Sequence, residues 1–208
     1  MQANTETIMS PESDSPDALV ARAQALVPEL RARQAATEKA GHALPEAIES
    51  FQDAGLYRVV QPKKFGGYEY GIDTFVRVAM AIASGCGSTG WVFSTGAQHQ
   101  WQMGLFAPEA QEEVWGSDRT ALAASSYAPT GVAMAEGDGY RLSGKWSFCS
   151  GVDTAQWMLL GVRIAPAEGV EPTQVGFALI PKSDYRIEEN WDVLGLIGTG
   201  SNDLVIED

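Results

Sequence analysis

YRLSGKWSFCSG, residues 140–151, alternates apolar and polar side chains, as a β-strand does. On such a strand Trp146, Phe148 and Ser150 share one face, because successive side chains point to opposite sides of a sheet. Two aromatic rings followed by a hydroxyl form a flat apolar wall with one polar group, which suits a planar heterocycle. The same residues also allow a core strand whose serine bonds only to the backbone.

The period of the hydrophobic pattern changes near Gly116, upstream of this strand. Before Gly116, apolar residues recur at i, i+3 and i+4, with Asp17 placed to cap the first helix and Ser88 or Thr89 the fourth. This spacing predicts helices at about residues 17–41, 45–55, 72–84, 90–106 and 108–115. After Gly116, segments of period two are separated by the turn sequences EGDG, PAEG and GLIGTG, which predicts strands.

Helices that precede all strands indicate segregated domains rather than alternating βαβ units. The predicted fold class is α+β, with an N-terminal all-α helical domain at residues 17–118 and an antiparallel β-barrel or sandwich middle domain at residues 119–208. Residues 1–16 carry three acids, no base and several Ser and Pro, so we expect a disordered tail. The sequence ends within a predicted strand, LVIED, and we therefore expect a truncated β domain.

Charge and composition exclude several classes of protein. Twenty-seven acidic against 14 basic residues give a net charge of −13, which repels nucleic acid and anionic membrane surfaces. No apolar run approaches the ~20 residues of a membrane span, and the N-terminus lacks the features of a secretory signal. With only Cys86 and Cys149 as cysteines, the sequence predicts a cytoplasmic protein that binds neither nucleic acid nor membrane.

Several common site motifs are absent from the sequence. GLIGTG, residues 195–200, has the spacing of a dinucleotide loop reversed, and no helical pattern follows it, which argues against a Rossmann fold. Neither a P-loop nor a G-x-S-x-G elbow occurs. The candidate soft metal ligands are widely scattered, so no metal site is expected among His42, Cys86, His99 and Cys149.

Two further segments carry candidate functional residues. AASSYAPTG, residues 123–131, combines small and hydroxyl side chains with a turn that lets the backbone approach a ligand, although a plain junction of strand and loop explains the same residues. His99 interrupts an otherwise apolar helix face that includes Val92, Met103 and Phe106. It is either a hydrogen-bonded core histidine or an acid, base or phenolate-binding group that faces a ligand cavity.

Together these segments resemble the acyl-CoA dehydrogenase superfamily, in which a helical domain, a middle β domain and a C-terminal four-helix bundle surround a flavin. GKWSFCSG is similar to the G-x-K-x-[WY]-I-T-N strand of that family, and ASSYAP is similar to its T-E-P segment. The resemblance implies that Ser125, Ser126, Trp146, Phe148 and Ser150 bind flavin, with Ser150 near N5. It covers nearly the whole chain and includes no C-terminal bundle, which we expect to be absent.

Within the superfamily the sequence is more similar to the oxygenase components of two-component aromatic hydroxylases, through ASSYAPTG, VDTAQW and GLIGTGSND. In that branch a histidine on the corresponding helix binds the phenolic oxygen of the substrate, which makes His99 a catalytic candidate beside Ser150. VDTAQW carries Thr154 where many of these enzymes carry histidine, so the identity of the substrate stays open.

The resemblance implies a flavin-dependent monooxygenase that hydroxylates a small aromatic substrate with O₂ and reduced FMN or FAD through a C4a-hydroperoxyflavin. It also implies a separate flavin reductase as partner and a homotetramer for a full-length form. Ser150 would slow the loss of peroxide, while Trp146 and Phe148 exclude water. Two alternatives stay open: an acyl-CoA dehydrogenase or related flavin oxidase that acts on a thioester, and a non-catalytic module that keeps the fold without flavin.

Overall fold

The computed structural model describes residues 15–207, and the first part of this range is helical. Five α-helices follow one another along the chain: α1 (Pro16–Ala40), α2 (Pro45–Asp53), α3 (Ile72–Gly85), α4 (Gly87–Met103) and α5 (Pro108–Trp115). Their number and order confirm the predicted helices. Within residues 15–207, no helix is both long enough and apolar enough to cross a membrane.

The first helix begins one residue before its predicted start. Ser15 rather than Asp17 caps α1, because the Ser15 hydroxyl accepts a hydrogen bond from the Ala18 backbone N–H at 3.2 Å. Pro16 occupies the first helical position, where its missing N–H leaves no hydrogen bond unmade. The predicted disordered tail lies outside the described residues, except for its last two positions.

The fourth helix, which carries one side of the candidate site, also begins earlier than predicted. A single extended residue, Cys86 (φ −152°, ψ 120°), separates α3 from α4. α4 therefore starts at Gly87, and Ser88 and Thr89 lie inside its first turn instead of capping it. The glycine-rich segment interrupts the helical pattern over one residue only.

The second part of the chain forms a six-stranded sheet. Its strands are β1 (Ala123–Glu136), β2 (Gly139–Trp146), β3 (Trp157–Ala165), β4 (Gln174–Pro181), β5 (Arg186–Glu188) and β6 (Asp203–Ile206). Their order across the sheet is β4-β3-β1-β2-β6-β5. Helices before strands confirm the α+β class, and the predicted domain boundary at residues 118–119 falls between α5 and β1.

One pair of strands departs from the predicted antiparallel arrangement. β1 and β3 run parallel, with Ala123 opposite Trp157, whereas the other neighbouring pairs among residues 123–206 are antiparallel. Parallel neighbours need a crossover connection, and residues 147–156 return the chain from the end of β2 to the level of the start of β1. Strand periodicity carries no information on such a crossover, so the prediction of a wholly antiparallel sheet is wrong.

Two main hydrophobic cores are joined by a third cluster of buried side chains. In the helical part, the rings of Phe51 and Phe93 pack edge to face at 5.1 Å between centroids. In the sheet, the fully buried Trp146 is the largest member of the second core. Met103 of α4 and Ala123 of β1 belong to the third cluster. Because α4 and β1 share this buried contact, side chains along the same seam keep a fixed relation to one another.

Candidate functional site

A cavity of about 420 Å³ lies between α4, β1 and the start of the crossover. This volume falls within the ~300–1,000 Å³ of small-molecule sites. Trp91, Thr95, Gln98 and His99 form what we call the α4 wall, and Ser147, Phe148 and Ser150 form the crossover wall. Five of the six predicted site residues line the cavity, namely His99, Ser125, Ser126, Phe148 and Ser150.

The sixth predicted residue, Trp146, does not line the cavity, which contradicts the predicted aromatic face. Its side chain is fully buried in the sheet, where the indole N–H donates to the Gly161 carbonyl at 2.7 Å. A Cβ at Gly131 would lie only 2.0 Å from the ring carbon Cζ2 of Trp146. β2 ends at Trp146, and Phe148 has a φ of +61°, so the alternation assumed for residues 146–150 stops there.

Exposed aromatic side chains border the cavity instead, among them Phe148 and Trp91. Phe148 is 71% exposed and meets Trp191 edge to face, with 6.0 Å between ring centroids. Trp91 is 50% exposed, and the sequence analysis did not identify it as a site residue. Its spacing was an available signal, because Trp91, Thr95 and His99 follow one another at intervals of four on a single helix face. Phe148 and Trp91 provide the flat apolar surface that a planar ring system needs.

His99 is buried and neutral, with a lone pair on one ring nitrogen. The side chain is 1% exposed, and its Nδ1 lies 2.7 Å from the carbonyl oxygen of Ala123. A carbonyl oxygen only accepts, so Nδ1 carries the proton and Nε2 of the neutral ring carries the lone pair. Burial lowers the pKa of His99 to about 4, although the hydrogen bond to Ala123 partly opposes this shift. At neutral pH the imidazole is therefore a hydrogen-bond acceptor and a base.

Ser150 is held by a chain of hydrogen bonds. Its Oγ accepts from the indole N–H of Trp91 at 3.0 Å and lies 2.8 Å from Oγ of Ser201. Ser201 Oγ in turn lies 2.7 Å from Oγ1 of Thr199, which donates to the Leu196 carbonyl at 2.9 Å. The glycine-rich turn that looked like a reversed dinucleotide loop is thus connected to Ser150 of the cavity lining through the hydroxyls of Thr199 and Ser201.

β1 contributes two predicted serines and an unpredicted tyrosine. Ser126 Oγ donates to the Ser147 carbonyl at 2.8 Å, which ties β1 to the crossover wall. Ser125 is half-buried in the cavity lining. Tyr127 lines the cavity as well, and its hydroxyl donates to Oε1 of Gln102 at 2.6 Å. The spacing of two residues from Ser125 was the signal that would have found Tyr127.

Cys149, which neighbours two cavity residues in sequence, is an unreactive core residue. The side chain is fully buried, and burial raises the pKa of its thiol to about 12, so the thiol stays protonated. Among residues 15–207, no three His, Cys, Asp or Glu side chains lie together as metal ligands do. The chemistry of this cavity is carried by hydroxyls, aromatic rings and one neutral imidazole.

Comparison with known proteins identifies related sequences. The model of the acyl-CoA dehydrogenase N-terminal domain matches residues 13–121. The chain is 42% identical over 187 residues to the flavin-dependent monooxygenase oxygenase subunit HsaA of Rhodococcus jostii (strain RHA1), which covers 90% of this chain and 48% of that protein. It is 38% identical over 190 residues to the FADH(2)-dependent resorcinol hydroxylase oxygenase component of Rhizobium sp. (strain MTP-10005), covering 91% and 46%.

A solved structure has the same fold. The crystal structure of 3-HSA hydroxylase from Rhodococcus sp. RHA1 matches with a TM-score of 0.90 at 40% identity, covering 93% of this chain and 50% of that one. The chain spans about half the length of the relatives it matches. Because the domain match extends over more than half of its residues, this chain belongs to the acyl-CoA dehydrogenase family, with residues 13–121 as the N-terminal domain.

Proposed function

We propose that the chain carries the flavin- and substrate-binding part of the oxygenase component of a two-component flavin-dependent monooxygenase. Such an enzyme hydroxylates a phenolic substrate with reduced flavin and O₂. The observation that carries the proposal is the neutral, buried His99, which lines a cavity bordered by exposed aromatic side chains. The names of the two relatives, an oxygenase subunit and a resorcinol hydroxylase oxygenase component, support the same activity.

The cavity fits a flavin ring. Phe148 and Trp91 present exposed aromatic faces that pack on the ring and keep water from it. Ser125 and Ser150 line the cavity and would offer their hydroxyls to the polar edge of the ring, while Ser126 ties β1 to the crossover wall. When bound, reduced FMN or FAD supplies the electrons that activate O₂.

His99 acts on the hydroxyl of the substrate in this proposal. Its Nε2 accepts a hydrogen bond from a phenol and takes the proton as the phenolate forms, which raises the electron density of the aromatic ring. The hydrogen bond from Nδ1 to Ala123, at 2.7 Å, keeps the imidazole oriented in both protonation states. Because the imidazolium and the phenolate form together, each offsets the cost of burying the other charge.

The proposal includes partners that lie outside this chain. A separate flavin reductase supplies reduced flavin, which the words "oxygenase subunit" and "oxygenase component" in the relatives' names support. The substrate is a small phenol, because Nε2 of His99 would accept a hydrogen bond from a single hydroxyl group. A homotetramer of the full-length form, expected from the family resemblance, stays a prediction. A cytoplasmic location is proposed on the free thiols of Cys86 and Cys149.

The test is to reconstitute the chain anaerobically with chemically reduced FMN or FAD, and then to add oxygenated buffer and a phenol such as resorcinol. We expect binding of reduced flavin and a hydroxylated product that carries one oxygen atom from isotopically labelled O₂, detected by mass spectrometry. Reduction of bound oxidised FAD by an acyl-CoA thioester would support the dehydrogenase alternative instead. Failure to bind flavin in either oxidation state would contradict both and leave a non-catalytic module.

A further inference from the structure

The turn of residues 196–201 reaches the cavity through a continuous row of hydroxyl groups. The row runs from the Leu196 carbonyl through Thr199, Ser201 and Ser150 to the indole N–H of Trp91. Thr199 is 1% exposed and Ser201 is 4% exposed, so water is excluded from the bond between them, whereas the two ends of the row, at Leu196 and Trp91, reach the surface. The hydrogen bonds of the row therefore fix where each hydroxyl proton points.

All four hydrogen bonds of the row form together in only one direction. The Leu196 carbonyl oxygen can only accept, so the Thr199 hydroxyl donates to it. Thr199 Oγ1 must then accept from Ser201, and Ser201 Oγ must accept from Ser150. The indole N–H of Trp91 can only donate, and it occupies one lone pair of Ser150. Ser150 consequently donates its proton inward and keeps one lone pair for the cavity.

The backbone holds this turn against the crossover wall. The Gly151 N–H donates to the Thr199 carbonyl at 3.0 Å, and the Cys149 N–H donates to the Asn202 carbonyl at 3.1 Å. These two bonds flank Ser150 on both sides along the chain. The turn is thus attached to the cavity wall on both sides of Ser150, the residue whose hydrogen bonding the row determines.

We infer that Thr199 and Ser201 are positioning residues that fix Ser150 as a hydrogen-bond acceptor and thereby make the site selective for reduced over oxidised flavin, an inference that rests on the proposed function. N5 of a reduced flavin carries a hydrogen and donates, whereas N5 of an oxidised flavin carries a lone pair and accepts. The family resemblance implies that Ser150 lies beside N5, where an accepting hydroxyl would complement the reduced ring and repel the oxidised one. Neither Thr199 nor Ser201 lines the cavity, so both act through Ser150.

The test compares the Kd of the whole chain for oxidised FMN with its Kd for dithionite-reduced FMN, by anaerobic titration calorimetry. We expect the unaltered chain to bind reduced FMN more tightly. In Ser201→Ala the Ser150 proton loses its inward acceptor and turns to the cavity. The ratio of the two Kd values should then fall about fivefold to tenfold, the effect of one neutral hydrogen bond. Thr199→Val acts one bond further from Ser150 and should lower the ratio in the same direction by less.

Thr89→Val is the matched control for these variants. It removes an equally buried hydroxyl, 1% exposed, which bonds to Cys86 Sγ at 3.3 Å outside the row. This variant should leave the ratio of the two Kd values unchanged. Thermal melting followed by circular dichroism checks that each variant folds. If Ser201→Ala does not fold, Thr199→Val, which keeps the shape of the side chain and removes only its hydroxyl, provides the test.

The outcomes separate this inference from the proposed function. If reduced FMN still binds, and the Kd ratio in both Ser201→Ala and Thr199→Val stays within about twofold of the parent ratio, the positioning role is overturned while the oxygenase proposal stands. Equal affinity of the unaltered chain for both oxidation states also overturns it. If the unaltered chain binds no flavin at all, the proposed function fails, and the inference fails with it.

Discussion

The α4 wall and the crossover wall of the cavity hold their functional groups by different physical means. On the α4 wall, His99 is set by a regular helix, by one hydrogen bond to Ala123 and by near-complete burial, which lowers its pKa to about 4. On the crossover wall, Phe148 is exposed at a positive φ, and Ser150 is set by a directed row of hydroxyls. Burial thus determines charge on one side, while hydrogen bonding and backbone conformation determine orientation on the other.

The largest expected effect comes from removing the functional group of the α4 wall. His99→Ala should lower the rate of hydroxylation of a phenol by about 10²–10⁴-fold, the usual contribution of a positioned acid–base group. Product formation is measured by chromatography at a fixed concentration of reduced flavin. Trp101→Phe, an exposed position on the same helix away from the cavity, is the control. A loss of less than about threefold would remove His99 from the mechanism.

A second prediction is that Trp146 and Phe148, two positions apart, contribute very differently to stability. Trp146→Ala should lower the free energy of unfolding by about 3–5 kcal/mol, because it empties a fully buried ring volume and leaves the Gly161 carbonyl without its donor. Phe148→Ala should change it by less than about 1 kcal/mol, since the ring is mostly exposed. Urea denaturation measures both. Similar losses in the two variants would contradict the separation of core and cavity at this point.

A third prediction uses the charge state that burial imposes on the α4 wall. The pKa of His99 is about 4 in the folded chain against 6.5 for an ordinary histidine, so the unfolded state binds more protons between these values. The unfolding free energy therefore falls as pH drops through this window, with no penalty above about pH 7 and a full penalty of about 3 kcal/mol at pH 4 and below. Burial of the neutral ring is the cause.

His99→Gln should lack this contribution, so its stability relative to the parent chain should improve between pH 7 and pH 4. Urea midpoints at the two pH values give the comparison. Phe148→Ala, which removes no titratable group, should follow the pH dependence of the parent. If His99→Gln and the parent lose stability equally on acidification, His99 is not a buried neutral base in the folded chain.

The helices and the α4 wall follow largely from local sequence pattern. The 3.6-residue period predicted the five helices in the right order, and His99 stood out because it interrupts an apolar helix face. Residues four and eight positions before His99, which lie on the same face of the helix, are Thr95 and Trp91. Both residues could therefore have been found from the spacing along the helix.

The crossover wall depends on contacts between residues distant in sequence, which local pattern does not contain. A period of two placed Trp146 and Phe148 on one face, whereas Gly131 on the neighbouring strand β1 leaves room for the Trp146 ring and the Gly161 carbonyl on β3 accepts its N–H. The bond between Ser150 and Ser201 joins residues 51 positions apart. The strand pattern and the family resemblance both indicated a role for Ser150, but neither predicted the hydroxyl row.

The smallest expected effect concerns the backbone of the crossover wall. Phe148 has a φ of +61°, a left-handed conformation that costs a residue with a side chain about 1–2 kcal/mol and costs glycine almost nothing. Phe148→Gly and Phe148→Ala both lose the ring, but only the glycine relieves this strain. We therefore expect Phe148→Gly to be more stable than Phe148→Ala by about 1 kcal/mol in urea denaturation.

Ser183, exposed and without a positive φ, provides the control position, where glycine should be less stable than alanine by about 0.5–1 kcal/mol. The prediction requires that glycine be more stable than alanine at position 148 and less stable than alanine at position 183. Both Phe148 variants should weaken the binding of reduced flavin equally, because the ring is missing from each. A glycine variant that is no more stable than the alanine variant would show that the crossover wall relaxes out of the left-handed conformation once the ring is gone. In that case the contact between Phe148 and Trp191, and not the surrounding backbone, holds the turn in place.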